Sequence, residues 1–438
     1  MERARFTSIR ASLVIHLTLL SIAVLSLFLL VGDTHPLHAA PSHKAAPGLR
    51  QRILAAGWGE YLLVLPEQAN LGAAYGINDW DARGRFVYDA LRITAEITQA
   101  GLLAILQQQQ HAGNVQHFQS FFITNAILVR SNAIAFDLLA AHPDVARLET
   151  VPTFQIAGMG MISPTDPTLT EWNIQKVNAP QIWEEFAVLG QGIVVANVDT
   201  GVDYDHPALV NQYRGNLGSG VFDHDYNWYD PTKVCNIPYG VPCDNANHGT
   251  HTMGILVGDD GAGNQIGMAP AARWIAVKAC DENTLCPMPI LLQALAWIIA
   301  PCPLSSEPGS PDCRPDLRPH VVTNSWVSPA IDSGVWLAII QNLRAAGIFP
   351  AFSAGISGPA SGTIGAPAGY APSFAVGATN INDEIAPFSS RGPSPVAIAI
   401  KPDLTAPGVT LRSSINGGGY DISAVHPSPA PTLQAVIP

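Results

Sequence analysis

Charged residues are scarce in this sequence, and basic clusters are absent. Asp, Glu, Lys and Arg together make up 13% of the 438 residues, and the formal net charge is −12. Because Lys and Arg are scattered, a nucleic-acid partner is not expected. Hydrophobic residues account for 47% of the chain, so there is enough apolar material for a large core and the disordered class is excluded. The length favours two or three folded units.

Metal-binding patterns are absent as well. The sequence has no Cys-x-x-Cys pair, no His-Glu-x-x-His and no loop with EF-hand spacing. Its six cysteines instead fall into three sets of close neighbours, which in an exported protein are typical of disulfides that close surface loops. Sequence alone does not fix the connectivity, and a metal site is the disfavoured alternative. The expected pairs are Cys235–Cys243, Cys280–Cys286 and Cys302–Cys313.

Only the start of the chain has an apolar run long enough to cross a bilayer. Three arginines within the first ten residues precede an apolar run over 11–32, and Ala39 and Ala40 follow it. This order is typical of a secretory signal peptide, which we place at residues 1–40, and it predicts an extracellular protein. An uncleaved membrane anchor is the alternative, because the run is long for a signal core.

The region after the signal reads as a linker followed by a small domain. Residues 41–60 begin with polar, small and proline residues and are predicted to be a linker. Residues 61–155 have the pattern of a ferredoxin-like α+β domain, in the order β-α-β-β-α-β. The predicted strands are 61–65, 118–122, 126–129 and 145–151, and the predicted helices are 92–109 and 133–141.

Residues 156–178 are rich in Gly, Pro and Thr and are predicted to form an exposed connection. From there to residue 422, apolar strand-like runs alternate with helical ones, which predicts an α/β domain over 170–422 with a parallel sheet and helices on both faces. The predicted strands are 193–198, 274–278, 321–326, 348–352 and 374–376, and the predicted helices are 248–257, 290–299 and 335–346.

Asp199 directly follows the first of these strands and leads into a glycine turn. Catalytic residues of such folds lie at the carboxyl ends of strands, where this carboxylate could accept the Nδ1–H of a histidine and fix its tautomer. The plainer interpretation is that Asp199 caps the turn.

His248 opens a predicted helix in the string Asn-His-Gly-Thr-His, whose small residues allow close packing. An imidazole at this position could face a cleft and act as a general base. His251, about one turn further on, is expected to be structural. The spacing of the two histidines does not favour zinc.

Together these two segments resemble the Asp and His motifs of the subtilisin-like serine peptidases (subtilases), in the family's order of Asp before His. Further matching strings are Gly-Met-Ala-Pro at 267–270, Val-Thr-Asn-Ser-Trp at 322–326, Pro-Phe-Ser-Ser-Arg-Gly-Pro at 387–393 and Lys-Pro-Asp-Leu-Thr-Ala-Pro-Gly at 401–408. The resemblance covers roughly residues 172–421.

The resemblance implies a secreted endopeptidase that hydrolyses peptide bonds in proteins with an Asp/His/Ser triad of Asp199, His248 and a serine. The substrate-binding and oxyanion region would comprise Asn324, Ser325, Trp326, Gly355 and Ile356. The domain at 61–155 would be an inhibitory propeptide, so the implied partners are protein or peptide substrates and the chain's own propeptide. No cofactor is implied for catalysis. Structural calcium is possible at acidic segments such as 223–225 and 259–260, although solvated loop charges explain those segments better.

Two positions depart from the family pattern. Ile356 stands where the family has an asparagine that donates to the oxyanion, a loss that costs about 10²–10³ in kcat. Val327 replaces a glycine beside the edge strand that would pair with the substrate backbone, and we expect it to narrow the cleft.

The larger departure follows Asp421. The family proceeds to Gly-Thr-Ser, whose serine is the nucleophile, whereas this sequence continues Ile-Ser-Ala-Val-His-Pro. Four serines in this region, Ser413, Ser414, Ser423 and Ser428, lack the motif and are not expected to act as nucleophiles. Codons permitted for 423–438 can spell Ser-Gly-Thr-Ser-Ile-Ala-Ser-Pro-His-Val-Ala-Gly in a frame shifted by one base. We therefore predict a one-base frameshift near 422–424 and an aberrant tail over 423–438.

Two functions remain open at this point. In the first, the gene encodes an active secreted subtilase. Alternatively, the chain as written is a catalytically inactive pseudopeptidase that at most binds peptides, because loss of the nucleophile in a subtilisin costs about 10⁶ in kcat.

Overall fold

The computed structural model describes residues 44–156, 160–162, 170–235, 240–328 and 334–424. The predicted signal peptide and the end of the predicted tail lie outside these ranges. Within them, every helix is too short or too polar to cross a lipid bilayer. The predicted disulfides are all formed, at Cys235–Cys243, Cys280–Cys286 and Cys302–Cys313.

An N-terminal domain covers residues 44–149. Its four strands pair antiparallel in the order β2–β3–β1–β4, the arrangement expected of the predicted ferredoxin-like order. The elements are α1 (Leu49–Ala56), β1 (Gly59–Val64), α2 (Trp80–His111), β2 (Val115–Phe121), β3 (Ala126–Ser131), α3 (Ala133–Ala141) and β4 (Arg147–Glu149).

Strand β1 is buried on both faces because alternate residues enter different cores. Tyr61 and Leu63 pack with side chains of α2 and α3 inside the N-terminal domain. Leu62 and Val64 belong to a larger core that includes helices of the second domain. The N-terminal sheet therefore relies on the second domain to cover one of its faces.

The described part of the linker predicted over 41–60 is folded. Helix α1 buries Leu49 and Ile53 against the N-terminal core, and Ala45 forms a bridge to Leu148. An i, i+4 pair of apolar residues is enough to make one buried stripe on a two-turn helix. That signal is too short to stand out in a segment whose composition otherwise suggests a linker.

The second domain is built on a seven-stranded sheet in the order β10–β11–β7–β13–β15–β16–β17, and every neighbouring pair is parallel. Its strands are β7 (Val194–Asp199), β10 (Trp228–Tyr229), β11 (Arg273–Lys278), β13 (Val321–Asn324), β15 (Phe349–Ser353), β16 (Phe374–Thr379) and β17 (Leu404–Pro407). Its helices are α4 (Trp172–Lys176), α5 (Ala179–Phe186), α6 (His248–Val257), α7 (Met288–Ile299) and α8 (Val335–Ala345).

Helices cover both faces of this sheet, as predicted. On one face, Val195 of β7 and Trp274 of β11 pack with Met253 of α6. On the other face, Val198 and Val277 pack in the core that holds α7 and α8. A parallel sheet buried in this way brings the carboxyl ends of its strands to a common edge.

Short strands complete the second domain and were not all predicted. β5 (Thr153–Ile156) lies between β12 (Leu285–Pro287) and β14 (Trp326–Val327). The hairpin of β18 (Leu411–Ile415) and β19 (Gly419–Ala424) takes β6 (Gly160–Ile162) as a third strand, and β8 (Asn216–Gly218) pairs with β9 (Val221–Phe222).

The prediction that residues 156–178 form an exposed connection is wrong for two of the segments that the structure describes. Ile156 is buried because β5 is enclosed by two strands that come from more than a hundred residues further along the chain. Asn173 and Ile174 are buried in α4. Composition gives no signal for burial that depends on such distant partners.

Candidate active site

Asp199 is the last residue of β7, between β11 and β13 in the sheet. Its side chain is 1% exposed, and the backbone N–H of Thr200 donates to its Oδ1 over 2.8 Å. Its carbonyl oxygen accepts the N–H groups of Ala279 and Cys280. The strand end is therefore fixed through both its backbone and its carboxylate.

His248 is the first residue of α6, and its Nδ1 lies 2.7 Å from Oδ1 of Asp199. Two glycines allow this approach. A Cβ on Gly249 would lie 2.0 Å from the carbonyl oxygen of Gly201, and Gly201 itself has a φ of +105°. The small residues around the histidine therefore let the start of the helix touch the turn that follows Asp199.

The environment of His248 favours its protonated form. Burial by itself lowers the pKa of the imidazole, but the charge of Asp199, the hydrogen bond to it and the charge of Asp244 outweigh burial, so the pKa is raised above its usual value. An ionised Asp199 requires Nδ1 to carry the proton, which leaves Nε2 as the basic atom.

His251 has the opposite environment. Its Nε2 lies 3.1 Å from the carbonyl oxygen of Leu411, to which it donates. Burial, together with repulsion from His248, lowers its pKa to about 4. A neutral, buried histidine held against a backbone carbonyl is structural, as the sequence suggested.

Asp244 is a buried carboxylate that the sequence analysis missed. Its Oδ1 accepts from the Thr200 hydroxyl and the Ala246 N–H, and its Oδ2 accepts from the N–H and hydroxyl of Thr250. It thus joins the turn after Asp199 to the first turn of α6. The available signal was an acidic residue shortly before a predicted helix start, where side chains often cap the helix.

Asn324 and Trp326 lie beside the Asp–His pair, and their side chains face inward. Asn324 Nδ2 donates to Ala351 O over 3.1 Å, while its buried Oδ1 has no hydrogen-bond partner among the described residues. Trp326 is fully buried and donates to Val198 O. Ser325, between them, is only partly exposed. This segment therefore offers mainly its backbone, rather than these two side chains, to a neighbouring strand.

That backbone is already paired with β5 of the same chain. Ile156 and Gln155 lie opposite Trp326 and Val327, and the other edge of β5 pairs antiparallel with β12. Phe154 of β5 is buried edge-on between Trp326 and Trp336, with ring centroids 5.3 and 5.0 Å apart. Strand β5 thus occupies a slot between β12 and β14, and its backbone forms hydrogen bonds with both strands.

Gly355 and Ile356 lie on the loop after β15. Gly355 has a φ of +101°, and its carbonyl oxygen accepts the N–H of Ser390 over 3.0 Å. Ile356 is 41% exposed and its side chain offers no donor. The side chain of Val327 packs towards Gly365, where a Cβ would come within 2.4 Å of it.

Two of the four serines near the end of the sequence are fixed behind α6. Ser413 donates to His251 O and Ser414 donates to Thr250 O, and both are fully buried. This geometry supports the expectation that neither is a nucleophile. The Ser423 side chain and all of Ser428 lie outside the described residues.

The predicted calcium segments use their carboxylates locally. Asp225 accepts the N–H of Leu304, and Asp260 accepts the N–H groups of Ala262 and Asn264. No group of three His, Cys, Asp or Glu residues in the described ranges is arranged to hold a metal ion. Structural calcium stays a prediction.

A buried carboxylate that orients a histidine at the edge of a parallel sheet is an arrangement used by hydrolases with a catalytic triad. Residues 190–431, more than half of the chain, match the subtilase family, and the chain therefore belongs to that family.

Individual relatives agree with this assignment. Bacillopeptidase F of Bacillus subtilis (strain 168) is 36% identical over 354 residues, which are 76% of this chain and 24% of that protein. Subtilisin E of the same organism is 29% identical over 251 residues, 57% of this chain and 55% of that protein. Serine protease AprX, also of Bacillus subtilis, is 29% identical over 245 residues, 53% of this chain and 49% of that protein. The chain spans about a quarter of the first relative and about half of the other two.

Proposed function

We propose that this gene encodes a secreted serine endopeptidase that hydrolyses peptide bonds in proteins. The observation that carries the proposal is the 2.7 Å contact between His248 Nδ1 and Asp199 Oδ1 at the edge of the sheet. Asp199 holds the imidazole in the tautomer whose Nε2 is basic, and it stabilises the imidazolium that forms. His248 takes the proton of a serine hydroxyl and then delivers it to the leaving amine, and water hydrolyses the acyl-enzyme.

The serine itself belongs to the proposal. It would come from the Gly-Thr-Ser codons that a one-base shift near 422–424 permits. The family membership and the complete Asp–His pair support this reading, because a buried carboxylate–imidazole pair has little purpose without a nucleophile to activate. Secretion is proposed from the signal-like start and is supported by three disulfides, which persist in oxidising compartments.

Substrate would bind as an extended strand between β12 and β14. The seating of β5 supports this mode, since its backbone pairs with both neighbours and its Phe154 side chain fills the space between Trp326 and Trp336. Strand addition gives affinity through main-chain hydrogen bonds and selectivity through alternate side chains. No cofactor enters this mechanism.

The N-terminal domain would act as an inhibitory propeptide. Strand β5 fills the slot on one side, and β6 pairs with β19 on the other, with only residues 157–159 between them. A substrate chain passing through the cleft would have the same course. We therefore propose that the enzyme cuts its own chain between Ile156 and Gly160.

Mass spectrometry of the exported protein tests this proposal directly. An active species whose new N-terminus lies between residues 157 and 160 is the expected result. An intact, unprocessed precursor without proteolytic activity would instead favour the inactive pseudopeptidase, for which Ile356 and the missing Gly-Thr-Ser string are the supporting observations.

A further inference from the structure

We propose that the Cys302–Cys313 loop, together with Arg318 behind it, is a second docking site for the N-terminal domain, separate from the cleft. Its occupant is the first part of helix α2, residues 80–92, with Phe122 beside it. The proposal rests on the proposed function only in supposing that the two domains come apart after cutting.

Backbone carbonyl groups of the loop accept hydrogen bonds from side chains of the helix. Tyr88 donates its hydroxyl to Ser310 O over 2.8 Å, and Arg92 Nη1 donates to Gly309 O over 3.2 Å. Gly309 has a φ of +100°, and a Cβ there would touch the ring of Phe122 at 3.4 Å. Phe122 in turn meets Tyr88 edge-to-face at 5.6 Å. The loop surface is therefore shaped to accept two aromatic rings and a guanidinium.

The disulfide holds the accepting carbonyls in place. The N–H of Cys313 donates to Ser310 O, the same oxygen that accepts from Tyr88. At the other end of the loop, Cys302 O accepts from Trp297 Nε1 and from the N–H of Tyr226. The loop is thus bonded at Cys302 to the rest of the peptidase domain and closed on itself at Cys313, which makes it a preformed surface.

Arg318 forms the second part of the site. It is 1% exposed, and its three donor groups reach only carbonyl oxygens, those of Ala346, Pro315 and Trp80, each over 2.7 Å. Among the described residues it forms no ion pair, but its guanidinium lies 3.7 Å above the ring of Trp80. The ring of Trp80 also stacks on His320 at 4.3 Å.

The contacts of Arg318 are typical of a surface residue that becomes exposed when two domains separate. Part of the cover over Arg318 is Trp80, which belongs to the N-terminal domain. Once that domain leaves, water can solvate the guanidinium, whereas a side chain built only for a permanent core would be apolar. Cation–π contacts and hydrogen bonds from arginine and tyrosine are the usual anchors of interfaces between separate partners.

A glycine on α2 marks the same contact. A Cβ on Gly84 would lie 2.0 Å from Arg318 Nη1 and 2.9 Å from Pro315 O. Glycine is a poor residue for the interior of a helix, and at this position of the 32-residue helix its missing side chain leaves the room that the guanidinium occupies. Gly101, on the same helix, faces open space and provides a matched control.

The site is independent of the cleft in its residues. Its contacts come from α2 and the end of β2, whereas the cleft holds β5, which follows them by more than thirty residues. Arg83 extends the docking site by donating to the carbonyl oxygens of Ala345 and Arg344 at the end of α8. Loss of one contact area should therefore leave the other in place.

Hydrogen exchange of the intact chain, read by mass spectrometry, tests the proposal without requiring catalysis. Gly84→Leu should raise exchange of residues 80–92 and of the Cys302–Cys313 loop by about tenfold, because both segments lose the contact that limits their local opening. Gly101→Leu should leave both segments unchanged, and β5 should stay protected in both variants.

Gly84→Leu could also disturb the N-terminal domain itself, and faster exchange in β1 and β3 would reveal this. In that case a second pair of variants tests the docking site. Tyr88→Phe removes only the hydroxyl, and Arg318→Lys keeps the charge but loses the fork of donors. Each should raise exchange of residues 80–92 by about threefold, the loss of a single interfacial hydrogen bond. Unchanged exchange in both variants, or equal effects of Gly84→Leu and Gly101→Leu, would overturn the proposal. Neither outcome depends on whether the enzyme is active.

Discussion

The two sheets of this molecule differ in how their faces are covered. The parallel sheet of the peptidase domain is enclosed by its own helices, α6 on one face and α7 with α8 on the other. In the antiparallel sheet of the N-terminal domain, one set of alternate residues packs with the domain's own helices. The other set joins a core that the first part of α2 shares with helices of the peptidase domain. The first sheet is complete by itself, whereas the second is complete only while docked.

This difference bears on the propeptide role proposed above for the N-terminal domain. A face that includes Leu62, Val64 and Leu128 would be an apolar patch if the N-terminal domain were free in water. The N-terminal domain should therefore be only marginally stable alone, while the peptidase domain should lose surface cover but keep its sheet.

The largest effect should come from the chemistry, which lies wholly in the peptidase domain. In a form of the protein that carries the serine, Asp199→Asn should lower kcat by about 10⁴, because His248 then adopts the wrong tautomer. Peptide hydrolysis measured beside the melting temperature separates the two effects. Similar losses of activity and of folded protein would show that Asp199 is structural instead.

Each domain contains an ion pair, and the two pairs differ in burial. Breaking each pair should therefore lower the free energy of unfolding by a different amount. Arg412 and Glu171 of the peptidase domain lie 3.0 Å apart and are 6% and 7% exposed. Arg412→Ala removes the guanidinium that neutralises Glu171 and should cost about 3–5 kcal/mol. Arg50 and Asp137 of the N-terminal domain are 44% and 46% exposed, so Arg50→Ala should cost less than about 1 kcal/mol. Denaturant unfolding measures both, and equal costs would contradict the burial argument.

Neighbouring leucines of β1 test the two faces of the N-terminal sheet. Leu62→Ala and Leu63→Ala should each cost about 2–5 kcal/mol in the intact chain, because both side chains are buried. The losses should appear in different places. Leu63→Ala should speed hydrogen exchange in α3, and Leu62→Ala should speed it at the contact with α7. The same pattern for both variants would show that the two faces share one core.

The smallest effects should come from pH, and two histidines of α6 should respond in opposite directions. The pKa of His248 is raised, so its contribution to stability is present below its unfolded pKa and is lost as pH rises through the folded value. The pKa of His251 is lowered to about 4, so its contribution is present above the unfolded pKa and is lost as pH falls towards 4. NMR titration of the two imidazoles checks the signs, and Asp199→Asn should lower the pKa of His248 more than that of His251, on which the charge of Asp199 acts only weakly. A larger shift of His251 than of His248, or no shift of His248, would contradict this assignment of causes.

Local signals in the sequence predicted the elements whose formation is local. Helix α3 has the predicted bounds, since Asn132 caps it by accepting from the N–H groups of Ile134 and Ala135. Helix α6 also has its predicted bounds, and β7 ends at Asp199, one residue beyond the predicted strand. The Asp199–His248 contact could be anticipated because each residue stood at the end of a recognisable element.

Features that depend on distant partners could not be predicted. Strand β5 is buried only because β12 and β14 enclose it, and Asp244 acquires its role from Thr200 and Thr250, which the fold brings to it. Strand β17, with an exposed leucine and a proline, has no strand-like pattern of its own and is formed by its pairing with β16. The docking of α2 on Arg318 likewise joins residues that lie far apart in sequence.

The central claim is that the Asp199–His248 pair serves a serine that the printed reading frame lacks. Sequencing of the coding DNA from codon 350 past codon 438 tests it most directly. The expected result is a single inserted or missing base near codons 422–424, beyond which the restored frame encodes Gly-Thr-Ser. An asparagine at codon 356 would complete the oxyanion site. If the printed tail and Ile356 are both confirmed, the claim is contradicted and the chain is a peptidase that has lost its nucleophile.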